Sequence, residues 1–309
     1  MKKILVLAML FAAISASAKV LVIASILPIS YIAERVGGDK VNVVALVTGD
    51  VHSYEPKPSD MKAISKARLF LATGLEFEEA WIPRFVSASK DLLIVHTDAN
   101  IQKIKGNPHN HSHDERENHQ AHKKDEHDAY EHKGHVHKEY EYLDEGAHFD
   151  PHVWLDPLLA KVMAENIAQA LISVDSKNQA TYKKNLATLS KELDELDLYA
   201  NNELKNLKKR AFIVYHPAWG YFAKRYNLEQ ISIEKEGKEP RMSELAKIIE
   251  DAKQEGVSVV FTSPQYSKRS AKTIADELNA KIVLIDPLNK DYLSNMRSAV
   301  KAFKDANQH

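Results

Sequence analysis

The sequence predicts an α/β protein with two doubly wound, parallel-sheet lobes joined by one long rigid helix. Two observations support this fold class. Short apolar runs rich in β-branched residues alternate with helix-like segments in both halves of the chain, and one uninterrupted helical pattern separates the halves. Strands that alternate with helices form parallel sheets covered by helices. The predicted domains are an N-terminal lobe at 19–175, a connecting helix at 176–208 and a C-terminal lobe at 209–309.

The N-terminal half contains four predicted strands, at Val20–Ser25, Val41–Val47, Arg68–Ala72 and Leu92–His96. Three helices are predicted between them, at Pro28–Val36, Ser59–Lys66 and Leu75–Ser89. Ser59 is the expected N-cap of the second helix. A further helix is expected after Asp156, which would cap it with Pro157 at the first helical position.

The connecting helix is predicted from Ser176 to Lys208, where apolar residues recur every three or four positions. A coiled-coil partner for this helix is the alternative interpretation. Four more strands follow, at Ala211–Tyr215, Gln230–Ile233, Val257–Phe261 and Lys281–Ile285. Helices are expected near 217–226, 241–255, 267–279 and 289–306.

Residues 1–18 have the pattern of a cleavable export signal. Two lysines precede a short apolar run at 4–14, and small residues at 16–18 predict cleavage after Ala18. An uncleaved membrane anchor is the alternative. The chain has no cysteine, which excludes disulfides, thiolate metal sites and a lipid attached through an N-terminal cysteine. We therefore expect a periplasmic protein.

The balance of charges gives no sign of a nucleic-acid or anionic-membrane partner. Loss of the signal would change the formal net charge from −1 to −3, because Lys2 and Lys3 go with it. Strongly basic patches are the electrostatic signature of such partners. An apolar content of 44% is sufficient for substantial cores.

Residues 100–148 interrupt the alternation of strands and helices. They are highly charged and lack apolar periodicity, so a disordered surface loop is predicted. Nine of the chain's 15 histidines lie between 109 and 137: His109, His111, His113, His119, His122, His127, His132, His135 and His137. We interpret them as accessory, low-affinity zinc ligands, since a disordered segment offers imidazoles without fixed geometry. A solvated insertion without function is the alternative.

Candidate metal ligands lie beyond the predicted strands, where open parallel sheets bind their ligands. His52, His216 and Asp286 each follow a strand, and His152 lies just before the helix that starts at Pro157. Three imidazoles and one carboxylate would complete the first shell of a borderline divalent metal, above all Zn²⁺. Taken singly, each of these residues also fits an ordinary loop or turn role.

The same residues carry a family resemblance. The motifs "GDVHSYEPKPSD", "DPHVWLDP", "YHPAWGYFAKRY" and "VLIDPL" occur in this order. They resemble the cluster A-I solute-binding proteins of bacterial zinc and manganese ABC importers. The histidine-rich insertion before "DPHVWLDP" resembles the zinc branch, the ZnuA-type proteins. The resemblance covers the whole mature chain.

The resemblance implies a metal bound in the cleft between two lobes, with His52, His152 and His216 as ligands. The fourth ligand varies within the family. Asp286 is our prediction for it, with Glu55 and water as alternatives. The implied function is high-affinity capture of Zn²⁺ in the periplasm and delivery to an ABC-type permease with its cytoplasmic ATPase, by a protein expected to be monomeric. Zinc would be the transported ligand and not a catalytic cofactor.

Three other functions remain open from the sequence. They are a manganese-importer component, a periplasmic zinc buffer or chaperone, and a zinc metallohydrolase. A hydrolase needs an open coordination position and a general base. Glu55 could serve as that base, but the chain has no His-Glu-x-x-His motif. We therefore predict a binding protein and not an enzyme.

Overall fold

The computed structural model describes residues 18–51, 53–106, 149–234, 238, 240–266 and 268–307. The chain divides into two compact units. The first contains the described parts of Met1–Ile101, Asp156–Ala200 and Leu288–Arg297, and the second contains those of Gln102–Leu155, Asn201–Pro287 and Ser298–His309. The chain therefore passes from one unit to the other several times. The boundaries predicted at 19–175, 176–208 and 209–309 stay a prediction.

Each unit contains one four-stranded sheet. In chain order the strands are β1 (Val20–Ile26), β2 (Val41–Val47), β3 (Leu69–Ala72), β4 (Leu93–His96), β5 (Ala211–Val214), β6 (Glu229–Ser232), β7 (Val259–Thr262) and β8 (Lys281–Leu284). The helices are α1 (Leu27–Gly37), α2 (Pro58–Ile64), α3 (Glu76–Ala88), α4 (Pro157–Val174), α5 (Gln179–Leu204), α6 (Gly220–Tyr226), α7 (Met242–Gln254), α8 (Lys268–Leu278) and α9 (Tyr292–Asn307).

The two sheets have the same topology. Their strand orders are β2-β1-β3-β4 and β6-β5-β7-β8, and all the described pairings are parallel. In each sheet the chain passes first to one side of its first strand and then to the other, which defines a doubly wound sheet. The predicted fold class of two parallel sheets flanked by helices is confirmed.

Most predicted elements occur within a few residues of their expected ends. Asp156 caps α4 as predicted, since its carboxylate accepts from the Leu158 and Leu159 N–H groups at 2.9 and 3.1 Å. The N-cap prediction for Ser59 is wrong. The helix α2 begins one residue earlier, at Pro58, because proline suits the first helical position. The Asp60 carboxylate then accepts from the backbone N–H of Lys57 at 2.8 Å.

The connecting helix is present as a short 3-10 turn, Ser176–Asn178, followed by the 26-residue α5. Its apolar stripe is fully buried within the chain at Tyr182, Leu189, Leu193 and Leu196. A coiled-coil partner would need that stripe to be exposed, so the alternative interpretation is wrong.

Of the residues that the structure describes, none lies in a helix long and apolar enough to cross a membrane.

The residues after β8 return to the first unit before α9 enters the second. Tyr292, at the start of α9, is 1% exposed, and its ring lies 6.3 Å from that of Tyr31 in α1. The Lys290 ammonium is 2.9 Å from the Glu34 carboxylate, also in α1. Segment Leu288–Arg297 therefore completes the core of the first unit.

The later part of α9 packs in the second unit against a group of aromatic rings. The Phe303 ring centroid lies 4.7 Å from those of Phe212 and Phe261, and 5.0 and 5.4 Å from those of Phe222 and Trp219. Edge-on and offset contacts of this kind stabilise aromatic cores beyond the burial of their area. They place Trp219 in the core as a packing residue, next to the turn that carries His216.

Segment 149–155 is held by the second unit, although the sequence places it within the predicted lobe 19–175. The Asp150 N–H donates to the Ile104 carbonyl at 3.0 Å, and the Tyr221 hydroxyl donates to the Asp150 carbonyl at 2.8 Å. The indole N–H of Trp154, which is fully buried, donates to the Pro287 carbonyl at 2.8 Å. These bonds fix the backbone on both sides of His152.

We expect Glu78→Ala to lower the free energy of unfolding by about 3 kcal/mol, the cost of leaving buried donors without acceptors. Glu78 is 1% exposed, and its carboxylate accepts from the backbone N–H groups of Thr73, Gly74 and Leu75 at 2.8–3.1 Å. Urea unfolding measures the change. Glu79→Ala, an exposed change on the same helix, should stay within about 0.5 kcal/mol of the parent. Equal losses in the two variants would contradict this account of Glu78.

Candidate metal site

The carboxyl edge of the second sheet carries most of the candidate site. His216 follows β5, Glu234 follows β6, Tyr266 follows β7 and Asp286 follows β8. The register of β5 and β6 pairs Val214 with Ser232, and the Glu234 N–H still donates to the Tyr215 carbonyl at 3.0 Å. His216 and Glu234 thus leave neighbouring strands side by side, at the edge where open parallel sheets bind their ligands.

His152 reaches the same place from the segment before α4. Its backbone N–H donates to Asp150 Oδ1 at 2.9 Å, and its ring Nδ1 lies 2.7 Å from the same oxygen. The following 3-10 turn, Val153–Leu155, is buried. The Asp-Pro-His sequence therefore forms a closed local turn that fixes both the backbone and the ring of His152.

The two imidazoles are oriented in the same way, each by a buried carboxylate at Nδ1. His216 Nδ1 lies 2.8 Å from Glu234 Oε1, and each of these side chains is 4% exposed. Because a carboxylate only accepts hydrogen bonds, each Nδ1 carries the hydrogen, and each Nε2 of a neutral ring keeps its lone pair. Carboxylates bound to the outer nitrogen of a ligating histidine fix its tautomer and orientation in metal sites.

The two Nε2 atoms converge at 3.2 Å, with the ring planes inclined by 71°. Two lone pairs at this distance repel one another unless a cation attracts both. Two nitrogens on one tetrahedral Zn²⁺, each about 2.0–2.1 Å from it, would be roughly 3.3 Å apart. The observed separation therefore fits two ligands of a single zinc ion.

The surroundings of His216 favour a neutral imidazole. His152 and His216 are each 6% exposed, the Tyr266 ring stacks on His216 at 4.9 Å, and the Trp154 ring lies 5.2 Å from that of His152. Burial is the main cause that lowers the pKa of His216, and the nearby His152 lowers it further, while the hydrogen bond to Glu234 opposes the shift. A neutral ring is the form that binds a metal.

The other predicted ligands lie partly outside the described residues. His52 and the nine histidines between 109 and 137 lie outside the described residues. Glu55 is exposed in the loop before α2. Asp286 Oδ1 accepts from the Gln265 amide at 2.9 Å. Within the described ranges, no group of three or more His, Asp or Glu side chains is arranged to hold a metal. His52, Asp286 and Glu55 therefore stay predictions.

Sequence reasoning missed the roles of Glu234 and Asp150. Glu234 comes directly after the predicted strand Gln230–Ile233, so the rule that selected His216 and Asp286 could also have selected it. Asp150 precedes a proline and fits an ordinary turn residue, which hid its contact with His152. Neither carboxylate is a first choice as a zinc ligand. Their contribution is to orient the two histidine rings, and it is visible only from their distances to the Nδ1 atoms.

A parallel α/β unit with two buried imidazoles, oriented at Nδ1 and converging at Nε2, is the arrangement expected of a metal-binding protein. The chain belongs to the family described as the periplasmic component A of zinc-uptake complexes, whose model matches residues 22–306. The resemblance noted in the sequence is thereby confirmed. Members of this family are substrate-binding proteins of transporters and not enzymes.

Named relatives are similar over most of this chain. The high-affinity zinc uptake system protein of Bacillus subtilis (strain 168) is 30% identical over 308 residues, which cover 93% of this chain and 88% of the relative. The zinc-binding protein AdcA of Streptococcus pyogenes serotype M3 is 29% identical over 94% of this chain. The match covers only 56% of that longer protein, little more than half its length.

Solved structures share the fold. A crystal structure of ZnuA has 34% sequence identity and a TM-score of 0.79, and the match covers 94% of this chain and 99% of that one. A deletion mutant of ZnuA, lacking 138–173 and solved with zinc bound, has 33% identity and the same TM-score and coverage.

Proposed function

We propose that this protein captures Zn²⁺ outside the cytoplasm and delivers it to an ABC-type permease with a cytoplasmic ATPase. The observation that carries the proposal is the convergence of His152 Nε2 and His216 Nε2 at 3.2 Å, with both rings held by buried carboxylates. The B. subtilis relative is named for high-affinity zinc uptake, and the ZnuA deletion mutant was solved with zinc. Both findings support zinc as the cargo.

The donor chemistry favours zinc over manganese. Imidazole nitrogens suit Zn²⁺, whereas Mn²⁺ prefers carboxylate, carbonyl and water oxygens. His152 and His216 supply two ligands of a tetrahedral site. We propose that His52 and Asp286 supply the others, with Glu55 or water as alternatives to Asp286. Zinc is the substrate of this protein, which holds and releases it without a chemical step.

Growth under zinc limitation tests the transport role. A strain of the source bacterium that lacks the gene should stop growing at a chelator concentration that the parent tolerates, and added zinc should restore growth. Complementation with the intact gene should restore growth without added zinc, whereas the His152→Ala gene should not. A zinc buffer that works without a permease predicts no loss of zinc uptake into the cell, so uptake of radioactive ⁶⁵Zn decides between the two roles.

We propose further that the export signal is cleaved after Ala18, that the protein is monomeric, and that the histidine-rich segment collects additional zinc. The last of these is supported by composition and by the position of the segment. The described residues that flank the segment lie together, because Lys105 and Phe149 form an antiparallel bridge. Many imidazoles placed next to one tight site raise the local zinc concentration there.

Deletion of 107–138 is expected to leave the fold and the tight zinc site intact, because the bridged residues on both sides keep their partners. It should remove the weaker zinc equivalents seen in a calorimetric titration of the intact chain. A matched control replaces the nine histidines by asparagine at constant length. If the control keeps the weak equivalents, they do not belong to these histidines. If the deletion abolishes tight binding, the accessory interpretation is wrong.

A further inference from the structure

Asp150 is enclosed by residues that fix both its backbone and its carboxylate. Its N–H donates to the Ile104 carbonyl, and its own carbonyl accepts from the Tyr221 hydroxyl. Its Oδ1 accepts from both the N–H and the ring of His152. Gly106 packs against its backbone, where a Cβ would lie 3.0 Å from the Asp150 nitrogen. Oδ2 faces Gly220, the first residue of α6.

Gly220 has no room for a side chain at this point. A Cβ on Gly220 would lie 2.6 Å from Asp150 Oδ2, closer than two such atoms can approach, and 3.2 Å from the Ile104 side chain. The backbone itself does not require glycine, because the described glycines with positive φ are Gly38, Gly74 and Gly256. Helix propensity alone would favour alanine over glycine here by up to about 1 kcal/mol.

We propose that Gly220 is a positioning residue for the zinc site and acts through Asp150. Its missing side chain leaves the space in which the Asp150 carboxylate turns towards His152. An added methyl group displaces that carboxylate, because the end of a side chain yields more readily than the backbone. His152 then loses the contact at Nδ1 that directs its Nε2 towards His216. This inference rests on the proposed function, since it assumes that His152 binds zinc.

The test is a double-mutant cycle in the full mature chain, with Zn²⁺ affinity measured by competition with a chelator. Gly220→Ala should weaken the tightest zinc equivalent about 10-fold, and Asp150→Ala by about 10–100-fold, the scale for outer-shell partners of metal ligands. In the Asp150→Ala background, Gly220→Ala should cause no further loss, because the group that it displaces is absent. Lys224→Ala, an exposed change on α6, is the control and should not alter the affinity.

Thermal unfolding without zinc separates positioning from damage to the fold. We expect Gly220→Ala to melt within a few degrees of the parent. If it does not fold, the double variant should fold as Asp150→Ala does, since relief by loss of the carboxylate identifies the clash. Three outcomes would each overturn the inference. The losses of affinity could be additive, the affinity of Gly220→Ala could be unchanged, or both the single and the double variant could fail to fold.

A His152→Ala arm distinguishes failure of this inference from failure of the proposed function. If His152→Ala loses zinc and Gly220→Ala does not, only the role of Gly220 is wrong. If His152→Ala binds zinc as tightly as the parent, the assignment of the site itself is wrong.

Discussion

Replacing His152 by alanine is expected to weaken tight zinc binding by more than about 100-fold, beyond the 10–100-fold cost of losing an outer-shell partner. The change removes one of the two Nε2 atoms that converge at 3.2 Å, and a tetrahedral site has no spare ligand. It also leaves Asp150 without the ring that it orients. Both effects act on the bound state, so we expect a much faster release of zinc.

Calorimetry with chelator competition on the protein that lacks 107–138 measures this loss without interference from the nine histidines. The matched control is His96→Ala, which removes an exposed imidazole at the end of β4 and should leave zinc affinity unchanged. Tight binding retained in His152→Ala would exclude this residue as a ligand. Equal losses in both variants would indicate general damage and not the removal of a ligand.

Replacing His216 by glutamate is expected to reduce zinc affinity about 10–100-fold and to raise the affinity for Mn²⁺ relative to Zn²⁺. The structure adds a complication, because the new carboxylate would face Glu234, which is 4% exposed. Two buried carboxylates repel one another, and one of them tends to keep a proton. The single variant therefore tests metal preference and charge repulsion at the same time.

A double variant, His216→Glu with Glu234→Gln, separates the two effects. The glutamine amide can donate to the new carboxylate, so the repulsion is removed while the oxygen ligand remains. Competition titrations with both metals should show a higher Mn²⁺-to-Zn²⁺ affinity ratio in the double variant than in the parent. If the ratio is unchanged in both variants, His216 does not tune metal selectivity, and the size and rigidity of the site decide it.

The sheets could be predicted from the sequence because their strands are short runs of β-branched and apolar residues between glycines, prolines and polar turns. The order β2-β1-β3-β4 was not predicted. The inner strands β1 and β3 are buried on both faces, so their apolar patterns do not reveal which strand is the neighbour of each. The start of α2 was missed because Ser59, taken alone, is a good cap residue. The helix begins at Pro58 instead, where the Asp60 carboxylate accepts from the Lys57 N–H, and the sequence does not reveal this contact.

The site was predictable only in part. The rule that ligands lie beyond parallel strands selected His216, and the turn before α4 selected His152. The distance between these histidines depends on how segment 149–155 docks on Ile104, Tyr221 and Pro287, which are far away in the sequence. No local sequence pattern predicts such contacts, so the approach of the two Nε2 atoms could be seen only in the structure.

The return of Leu288–Arg297 to the first unit has a consequence for biosynthesis. Domains of many proteins fold from the N-terminus while the ribosome is still adding residues. Here the core around Tyr31 lacks Tyr292 until residues 288–297 have been made, long after the four strands of the first unit. The nascent chain therefore cannot finish its first unit early, because both units need residues of α9: Tyr292 in the first and Phe303 in the second. A chain truncated before residue 288 would leave both units unfinished.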